Sequence, residues 1–256
     1  MIRFLSNWKV NKLCGRYVLL SSAKEIADEF ELSGFPEVEP RYNISPSQEA
    51  PAIRVDPGTT PPKRELVLLR WGLIPSWTKD TSSVKELINA RCETIAIKPA
   101  FRTSFKKGRI LIPSNGFYEW KRLDSGQRQA YLIHFEGFKL FAFAGIFDES
   151  KTPSGEIIKT YAIVTTTSAD SIKSIHDRMP VVVSSKDYRL WLESTDTASQ
   201  DFRNLLGPFS NDNFRITEVG MKVNRPDYDN RYCIEPSKTT VNDANQSVQK
   251  SLDFTR

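Results

Sequence analysis

Residues 88–120 read I-N-A-R-C-E-T-I-A-I-K-P-A-F-R-T-S-F-K-K-G-R-I-L-I-P-S-N-G-F-Y-E-W and mix polar groups into apolar, strand-like segments. Asn89, Arg91 and Glu93 occupy alternate positions, so an extended chain directs all three side chains to one face. Glu119 lies between two aromatic residues, where burying a carboxylate is costly unless it has a partner or a function. The stretch therefore predicts strands that carry a polar site.

A run of basic residues separates the two halves of this stretch. It holds no acidic residue and five basic ones, namely Lys98, Arg102, Lys106, Lys107 and Arg109. The polar strand face, the carboxylate among aromatic residues and this concentration of charge together indicate a site that handles nucleic acid.

Working outward, most of the chain has the composition of strands. β-Branched or aromatic residues bounded by Gly, Pro, Asp or Ser predict nine of them, at Arg16–Leu20, Ala52–Val55, Glu65–Leu73, Arg109–Pro113, Phe117–Arg122, Ala130–Phe135, Leu140–Ile146, Ile157–Thr165 and Pro180–Val183. Helices are fewer: one from a capping box at Ser22 to about Leu32, closed by Gly34, one capped by Thr167 or Ser168 and running through Ile175, one capped by Ser185, and one over Asp201–Leu206. The pattern predicts an α+β fold with a mainly antiparallel β-core and peripheral helices.

Length and composition limit the class of protein. The 256 residues predict one domain followed by a polar, disordered tail from Ser237. The net charge of +5 permits nucleic acid as a partner without requiring it, but every charge up to Lys24 is positive.

Three cysteines without paired spacing exclude a disulfide scaffold and a zinc ribbon, and two histidines leave little for a metal site, so neither metal nor cofactor is expected. The first residues lack the apolar core of a signal peptide, and no segment approaches the roughly 20 apolar residues of a membrane span. We expect a soluble, cytoplasmic protein that is a monomer.

Cys14 has two readings. A lone Cys before a strand is most often a small buried hydrophobic residue. However, Leu13 precedes it, and leucine codons such as UUG and CUG can start translation, which would make residues 1–12 an annotation artefact. Removal of the initiator would then expose an α-amine with a pKa of about 7.7–8.0 and a thiol with a pKa of about 8.5 on one residue.

The other candidate residues also have structural alternatives. His176, in I-H-D-R-M-P, is either a hydrogen-bonding residue at a helix end or a catalytic group, while His134 reads as a strand residue. Glu119 could be an outward residue paired with a nearby cation; buried among aromatic residues it would have a raised pKa, as a general acid requires. Asn89 could form a turn, but its phase with Arg91 favours a shared polar face.

Two tryptophans, Trp71 and Trp77, flank a Gly and Pro loop in W-G-L-I-P-S-W. Tryptophans are usually core or rim residues, but with Arg102 and other cations nearby these two could stack on the bases of a single strand. Asn43 lies in a second predicted loop, R-Y-N-I-S-P, which has both charge and an aromatic ring.

Eight motifs occur together and in a fixed order: C-G-R-Y, R-Y-N-I-S-P, W-G-L-I-P-S-W, I-N-A-R-C-E-T, K-P-A-F-R, G-F-Y-E-W, A-G-I-F and I-H-D-R-M-P. In this combination the chain resembles the SRAP family, the SOS-response-associated peptidase-like proteins, over about Leu13 to Pro236. The resemblance implies a barrel-like fold of the SRAP type over residues 14–236, between a leader (1–13) and the tail (237–256).

The resemblance also implies a function in DNA repair. In the SRAP family an N-terminal Cys traps abasic sites in single-stranded DNA. Cys14 would form a Schiff base and then a thiazolidine ring with the open abasic sugar. Asn89 would orient Cys14, Glu119 would move protons and hold the amine, and His176 would assist ring opening and reversal.

Seven further residues are implied as DNA contacts or as groups that shape the site. They are Arg16, Asn43, Trp71, Trp77, Arg91, Arg102 and Arg178.

The leader is a departure from the family, because the nitrogen of Cys14 would be an amide while residues 1–13 remain attached. Three explanations stay open: translation starts at Leu13, the leader is removed by self-cleavage, or this member does not crosslink. Accordingly three functions are kept: a covalent, lyase-like abasic-site trap, a cysteine-dependent autopeptidase or protease, and a non-covalent single-strand binder.

Overall fold

The computed structural model describes residues 14–32, 34, 38–81, 85–209 and 213–237. The predicted leader, residues 1–13, and the predicted tail beyond Ser237 lie outside the described residues.

Strands dominate the described residues. They are β1 (Arg16–Leu19), β2 (Arg41–Ile44), β3 (Glu49–Asp56), β4 (Lys63–Trp71), β5 (Asn89–Arg91), β6 (Arg109–Ser114), β7 (Gly116–Arg122), β8 (Arg128–Phe135), β9 (Phe141–Lys151), β10 (Ile157–Thr167), β11 (Arg178–Pro180), β12 (Val182–Val183) and β13 (Phe214–Val219). All nine predicted strands are present, the last of them divided into β11 and β12, and β2, β5 and β13 are additional.

The strands form two sheets. The first has the order β13-β8-β7-β1-β2 and is antiparallel throughout. In the second, β10, β4, β3, β6 and β9 pair successively and β9 also pairs with β10, so these strands close a five-stranded barrel. Only β4 and β5 pair with β10 in parallel among the described strands. The predicted α+β fold with a mainly antiparallel, barrel-like core is confirmed.

The chain passes from the barrel to the first sheet at Asn115. Its Oδ1 accepts hydrogen bonds from the N–H groups of Leu20 (2.7 Å) and Ser21 (3.1 Å), and its Nδ2 donates to the carbonyl of Phe138 (2.7 Å). At Gly116 a Cβ atom would lie 2.9 Å from the carbonyl oxygen of Ile133, so only glycine fits without a shift. This corner fixes the start of β7 relative to β1.

The helices are short and peripheral. They are α1 (Ala23–Phe30), α2 (Arg102–Lys107), α3 (Tyr188–Glu193) and α4 (Gln200–Leu205). The capping box at Ser22 is confirmed, but α1 ends earlier than predicted, at Glu31 in the left-handed conformation. α2 was not predicted.

Two helix predictions need correction. The segment after Ser168 forms turns rather than a helix, because its backbone hydrogen bonds alternate between i→i+3 and i→i+4 partners and do not propagate beyond His176. Ser185 does not cap a helix; it begins a 3₁₀ turn, Ser185–Asp187, that leads into α3.

The core lies inside the barrel and against the first sheet. Tyr17, Trp71, Phe143 and Tyr161 are buried there, with edge-to-face or stacked rings and a hydrogen bond between the hydroxyl groups of Tyr17 and Tyr161 (2.9 Å). Full burial of a large apolar side chain stabilises a fold by about 1.5–3 kcal/mol. The core therefore anchors the inner ends of β1, β4 and β10. No helix in the described part of the chain has the length and apolar character to cross a membrane.

Candidate active site

Cys14 lies immediately before β1 and is fully buried. Its backbone nitrogen donates a hydrogen bond to Oε1 of Glu119 at 2.8 Å. Its φ is 27°, in the left-handed region that residues with a side chain rarely adopt. Such a conformation costs of order 1–3 kcal/mol and persists only where the surrounding structure imposes it.

Glu119 is placed by the pairing of β7 with β1, in which Arg16 faces Tyr118. The carboxylate is 1% exposed, and this burial raises its pKa from 4.5 to about 8. Hydrogen bonds from the N–H groups of Cys14 and Trp120 partly offset the rise, and the charge of Asp177 adds to it. The side chain thus holds a proton near neutral pH, as a general acid must.

Asn89 reaches the same residue from the barrel side. β5, which begins at Asn89, pairs in parallel with β10, with Asn89 opposite Ile163. The side-chain Nδ2 of Asn89 donates to the carbonyl oxygen of Cys14 at 3.3 Å. Two side chains from different sheets therefore hold the two backbone polar groups of Cys14.

The thiol of Cys14 has a pKa well above its ordinary value. Burial is the main cause, and the nearby Glu119 carboxylate contributes. The sulfur is therefore a neutral thiol rather than a thiolate near pH 7. In this state the nitrogen, rather than the sulfur, is the better first nucleophile if it is an amine.

His176 is half-buried, just before β11. Burial lowers its pKa, and the carboxylate of Asp177 partly opposes this. Its ring nitrogen Nδ1 lies 3.1 Å from the backbone nitrogen of Arg178. Cys14 is in direct contact with Asn89 and Glu119. His176 is related to this group through its neighbour Asp177, whose charge raises the pKa of Glu119.

Two of the predicted DNA contacts, Arg16 and Asn43, point away from solvent. Arg16 donates to Oδ1 of Asn43 (3.0 Å) and to the carbonyl of Val223 (2.6 Å). Asn43 donates to the carbonyls of Arg225 (2.9 Å) and Tyr228 (2.8 Å). Both side chains hold residues 223–228 against the first sheet, so they support the strand that follows Cys14.

Trp71 and Arg178 are also buried. The indole of Trp71 donates to the carbonyl of Ile88 (2.8 Å), and its ring packs against Tyr17 and Tyr161, so it offers no free face to a base. The guanidinium of Arg178 binds the carboxylate of Glu93.

Trp77, Arg91 and Arg102 are exposed, Trp77 with 64% of its surface. In the basic run, Arg109 differs from its neighbours, because it is buried and donates to the carbonyl of Phe105 at 2.9 Å and to the carbonyls of Trp191 and Ser194. The charge available to a polyanion therefore comes from the earlier part of the run, around α2.

The family model described as SOS response associated peptidase (SRAP) matches residues 13–226. The chain belongs to the SRAP family. The match begins one residue before Cys14 and includes Asn89, Glu119 and His176.

The relatives are named for one activity. "Abasic site processing protein YoaM" of Bacillus subtilis is 40% identical to the chain over 217 residues, which cover 84% of this chain and 94% of that protein. "Abasic site processing protein HMCES" of Mus musculus is 29% identical, covering 84% of this chain and 71% of that protein. A crystal structure of a Bacteroides thetaiotaomicron protein aligns with a TM-score of 0.76 and 22% identity, over 88% of this chain and all of that one, which supports the fold.

In this SRAP chain, the sequence placed Glu93 on the polar strand face and Asp177 beside His176, but neither was predicted as a catalytic or DNA-binding residue. The signals were present: Glu93 shares the alternation of Asn89 and Arg91, and Asp177 adjoins His176. Over the described residues, no group of three or more His, Cys, Asp or Glu side chains is arranged to hold a metal ion.

Proposed function

We propose that this protein processes abasic sites in single-stranded DNA by linking them covalently to Cys14. The observation that carries the proposal is the hydrogen bond from the Cys14 nitrogen to the buried carboxyl of Glu119, with Asn89 on the Cys14 carbonyl. The names of the SRAP relatives support the same substrate.

The chemistry follows from these groups. The α-amine of Cys14 attacks the aldehyde carbon of the open abasic sugar, and Glu119 gives a proton to the departing hydroxyl, so that an imine forms and one water leaves. The thiol then adds across the C=N bond, with sulfur bonding to carbon and its proton passing to nitrogen. The product is a five-membered thiazolidine ring, and its closure benefits from the high effective molarity of two groups on one residue.

This reaction requires that the peptide bond before Cys14 be absent in the working protein, because an amide nitrogen cannot form an imine. The left-handed φ of Cys14 supports this requirement, since the strain disappears when no residue precedes Cys14. The family match, which starts at residue 13, supports it too.

Single-stranded DNA fits the exposed groups. Trp77 can stack on an unpaired base, and Arg91 and Arg102 can neutralise phosphates. A fully paired strand would leave no base free to stack on Trp77.

The test uses an oligonucleotide with a natural abasic site and, as control, one with a tetrahydrofuran site, which has no aldehyde. We expect a heat-stable and denaturant-stable complex with the first only, with the summed mass of protein and DNA less one water. Mass spectrometry of the protein identifies its first residue in parallel. A normal yield from Cys14→Ala would refute the proposal, and salt-sensitive binding without a covalent product would favour a non-covalent single-strand binder.

A second candidate, self-cleavage before Cys14, is favoured by the same hydrogen bond, because the carboxyl of Glu119, whose raised pKa lets it carry a proton near neutral pH, contacts the nitrogen that would leave. The thiol of Cys14 would add to the carbonyl carbon of residue 13, the C–N bond would break as nitrogen takes a proton, and water would hydrolyse the thioester. Intact mass distinguishes the cases: wild-type protein that loses residues 1–13 while Glu119→Gln keeps them supports self-cleavage. A leader retained in both proteins contradicts it.

A further inference from the structure

Glu93 and Arg178 form an ion pair across the end of β10. At Thr165, β10 pairs with β5 through Arg91 and with β11 through Pro180. Glu93 follows β5 and Arg178 begins β11, so their pairing joins the strand that carries Asn89 to the segment that carries His176.

The carboxylate of Glu93 compensates the burial of the positively charged Arg178 guanidinium. The side chain is 9% exposed; Nη2 donates to Oε2 of Glu93 (3.0 Å) and to the carbonyl of Thr165 (2.7 Å), and Nη1 donates to Oε1 of Glu93. A buried guanidinium without a carboxylate is strongly destabilised. The same contact holds the pKa of Glu93 below its ordinary value, so the carboxylate stays charged at neutral pH.

The backbone of Arg178 in turn fixes the ring of His176. Its N–H donates to Nδ1 at 3.1 Å, which requires that Nδ1 carry no proton and that Nε2 carry it in the neutral ring. Oδ1 of Asp177 also lies 3.0 Å from Nδ1, but that side chain is 87% exposed, whereas the N–H of Arg178 is held in place by β11. The less exposed backbone donor therefore decides the tautomer.

We propose that Glu93 is a positioning residue for His176, acting through Arg178. It fixes the segment that carries His176, and with it the orientation of the imidazole, without touching the substrate itself. The consequence for the reaction rests on the proposed function, whereas the effect on the imidazole does not.

Three charged side chains shift the pKa of His176. The effect of the Glu93–Arg178 ion pair can therefore be measured through that pKa. Asp177 raises the pKa of the imidazole, while Arg128 and Arg178 lower it. Without the Glu93 carboxylate the charge of Arg178 is no longer compensated, so the His176 pKa should fall further. Local unfolding would have the opposite sign, because loss of burial returns the pKa toward its ordinary value of 6.5.

The experiment records imidazole ¹⁵N spectra against pH for the full chain, whose two histidines are separated by the loss of signals in His176→Gln. In Glu93→Gln we expect a mixture of tautomers and a lowered pKa for His176. Glu93→Asp keeps the charge but reaches fewer guanidinium donors, so a smaller shift in the same direction is expected. Glu65→Gln, which breaks the ion pair with Arg54 in the barrel, is the matched control and should change neither property.

Crosslinking to an abasic oligonucleotide is measured alongside. With His176 in the ring-opening role that the family resemblance implies, Glu93→Gln should slow crosslinking about tenfold at unchanged DNA affinity. Unchanged His176 spectra in Glu93→Gln, or a pKa that moves toward 6.5, would overturn the proposal. If Glu93→Gln does not fold, the spectra of Glu93→Asp decide in the same way. Absence of crosslinking in the wild type would refute the proposed function and leave the imidazole result standing.

Discussion

Cys14 and Glu119 are 105 residues apart in the chain, and the backbone nitrogen of the first donates to the carboxyl of the second at 2.8 Å. The contact joins the start of β1 to the middle of β7 in one sheet. It places a group that can carry a proton at the atom where the proposed reaction begins. The pH dependence of stability and the effect of replacing the Cys14 thiol both depend on this contact.

Stability should depend on pH through Glu119. Its pKa is about 8 in the folded chain against an ordinary value of 4.5, so between these values the native state keeps a proton that the unfolded state releases. The free energy of unfolding should therefore decrease as pH rises from 4.5 to 8. This expectation applies to the protein with residues 1–13 attached, in which the Cys14 nitrogen is an amide. Urea denaturation at several pH values should show a shallower decrease for Glu119→Gln. Parallel curves for the two proteins would contradict this.

Replacing the thiol should separate the two steps of the reaction. Cys14→Ser keeps the α-amine but cannot form a sulfur–carbon bond, so the heat-stable complex should be lost while borohydride still traps an imine. Cys233→Ser is the matched control, because the sulfur of this cysteine donates to the carbonyl of Tyr228, a hydrogen bond that a serine hydroxyl can also make, and the variant should crosslink normally. Denaturing gels with and without borohydride measure both products.

The two tryptophans of the W-G-L-I-P-S-W loop should behave differently. Trp77→Ala removes an exposed ring and should weaken single-strand binding by about 1–3 kcal/mol with little effect on stability. Trp71→Ala removes a buried ring and should destabilise the fold by about 3–5 kcal/mol. Fluorescence anisotropy and thermal melts check both, with Tyr232→Ala, another exposed ring, as control for the first. Equal effects of Trp77→Ala and Tyr232→Ala on binding would argue against a stacking role.

Two arginines from the same basic run should also differ. Arg109→Ala leaves three carbonyl groups, one in α2 and two at the C-terminal end of α3, without their side-chain donor and should destabilise the fold by about 3 kcal/mol. Arg102→Ala, at an exposed position of α2, should stay within about 0.5 kcal/mol of wild type in stability. It should weaken binding to single strands at low salt and make the salt dependence of binding less steep. If the stability loss of Arg109→Ala is as small as that of Arg102→Ala, the contacts of Arg109 are dispensable for stability.

Much of the fold was predictable because its signals are local. Apolar runs bounded by turn residues located most of the strands, and the Ser22 capping box located α1. β2 was read as a loop because its burial depends on residues 223–228, a distant segment that Arg16 and Asn43 bind through hydrogen bonds to its carbonyl groups. The predicted helix before His176 failed because spacing alone does not show whether successive hydrogen bonds propagate.

The site was predictable in its members but less so in their orientation. Motif order brought Cys14, Asn89 and Glu119 together, and the contacts agree with that grouping. Whether an arginine or tryptophan faces solvent or the core depends on packing between distant elements. For this reason Arg16, Arg178 and Trp71 are buried, although their composition matches that of exposed DNA contacts.

The corner at Gly116 restricts the register in which β7 can pair. A strand that shifts by one position turns each of its side chains to the opposite face, and Glu119 would then leave the barrel side altogether. Because only glycine fits beside the carbonyl of Ile133, a shifted strand would place a side chain there, and the carboxyl of Glu119 would no longer face the Cys14 nitrogen. Under the proposed function, the yield of crosslinking would then report native strand register directly.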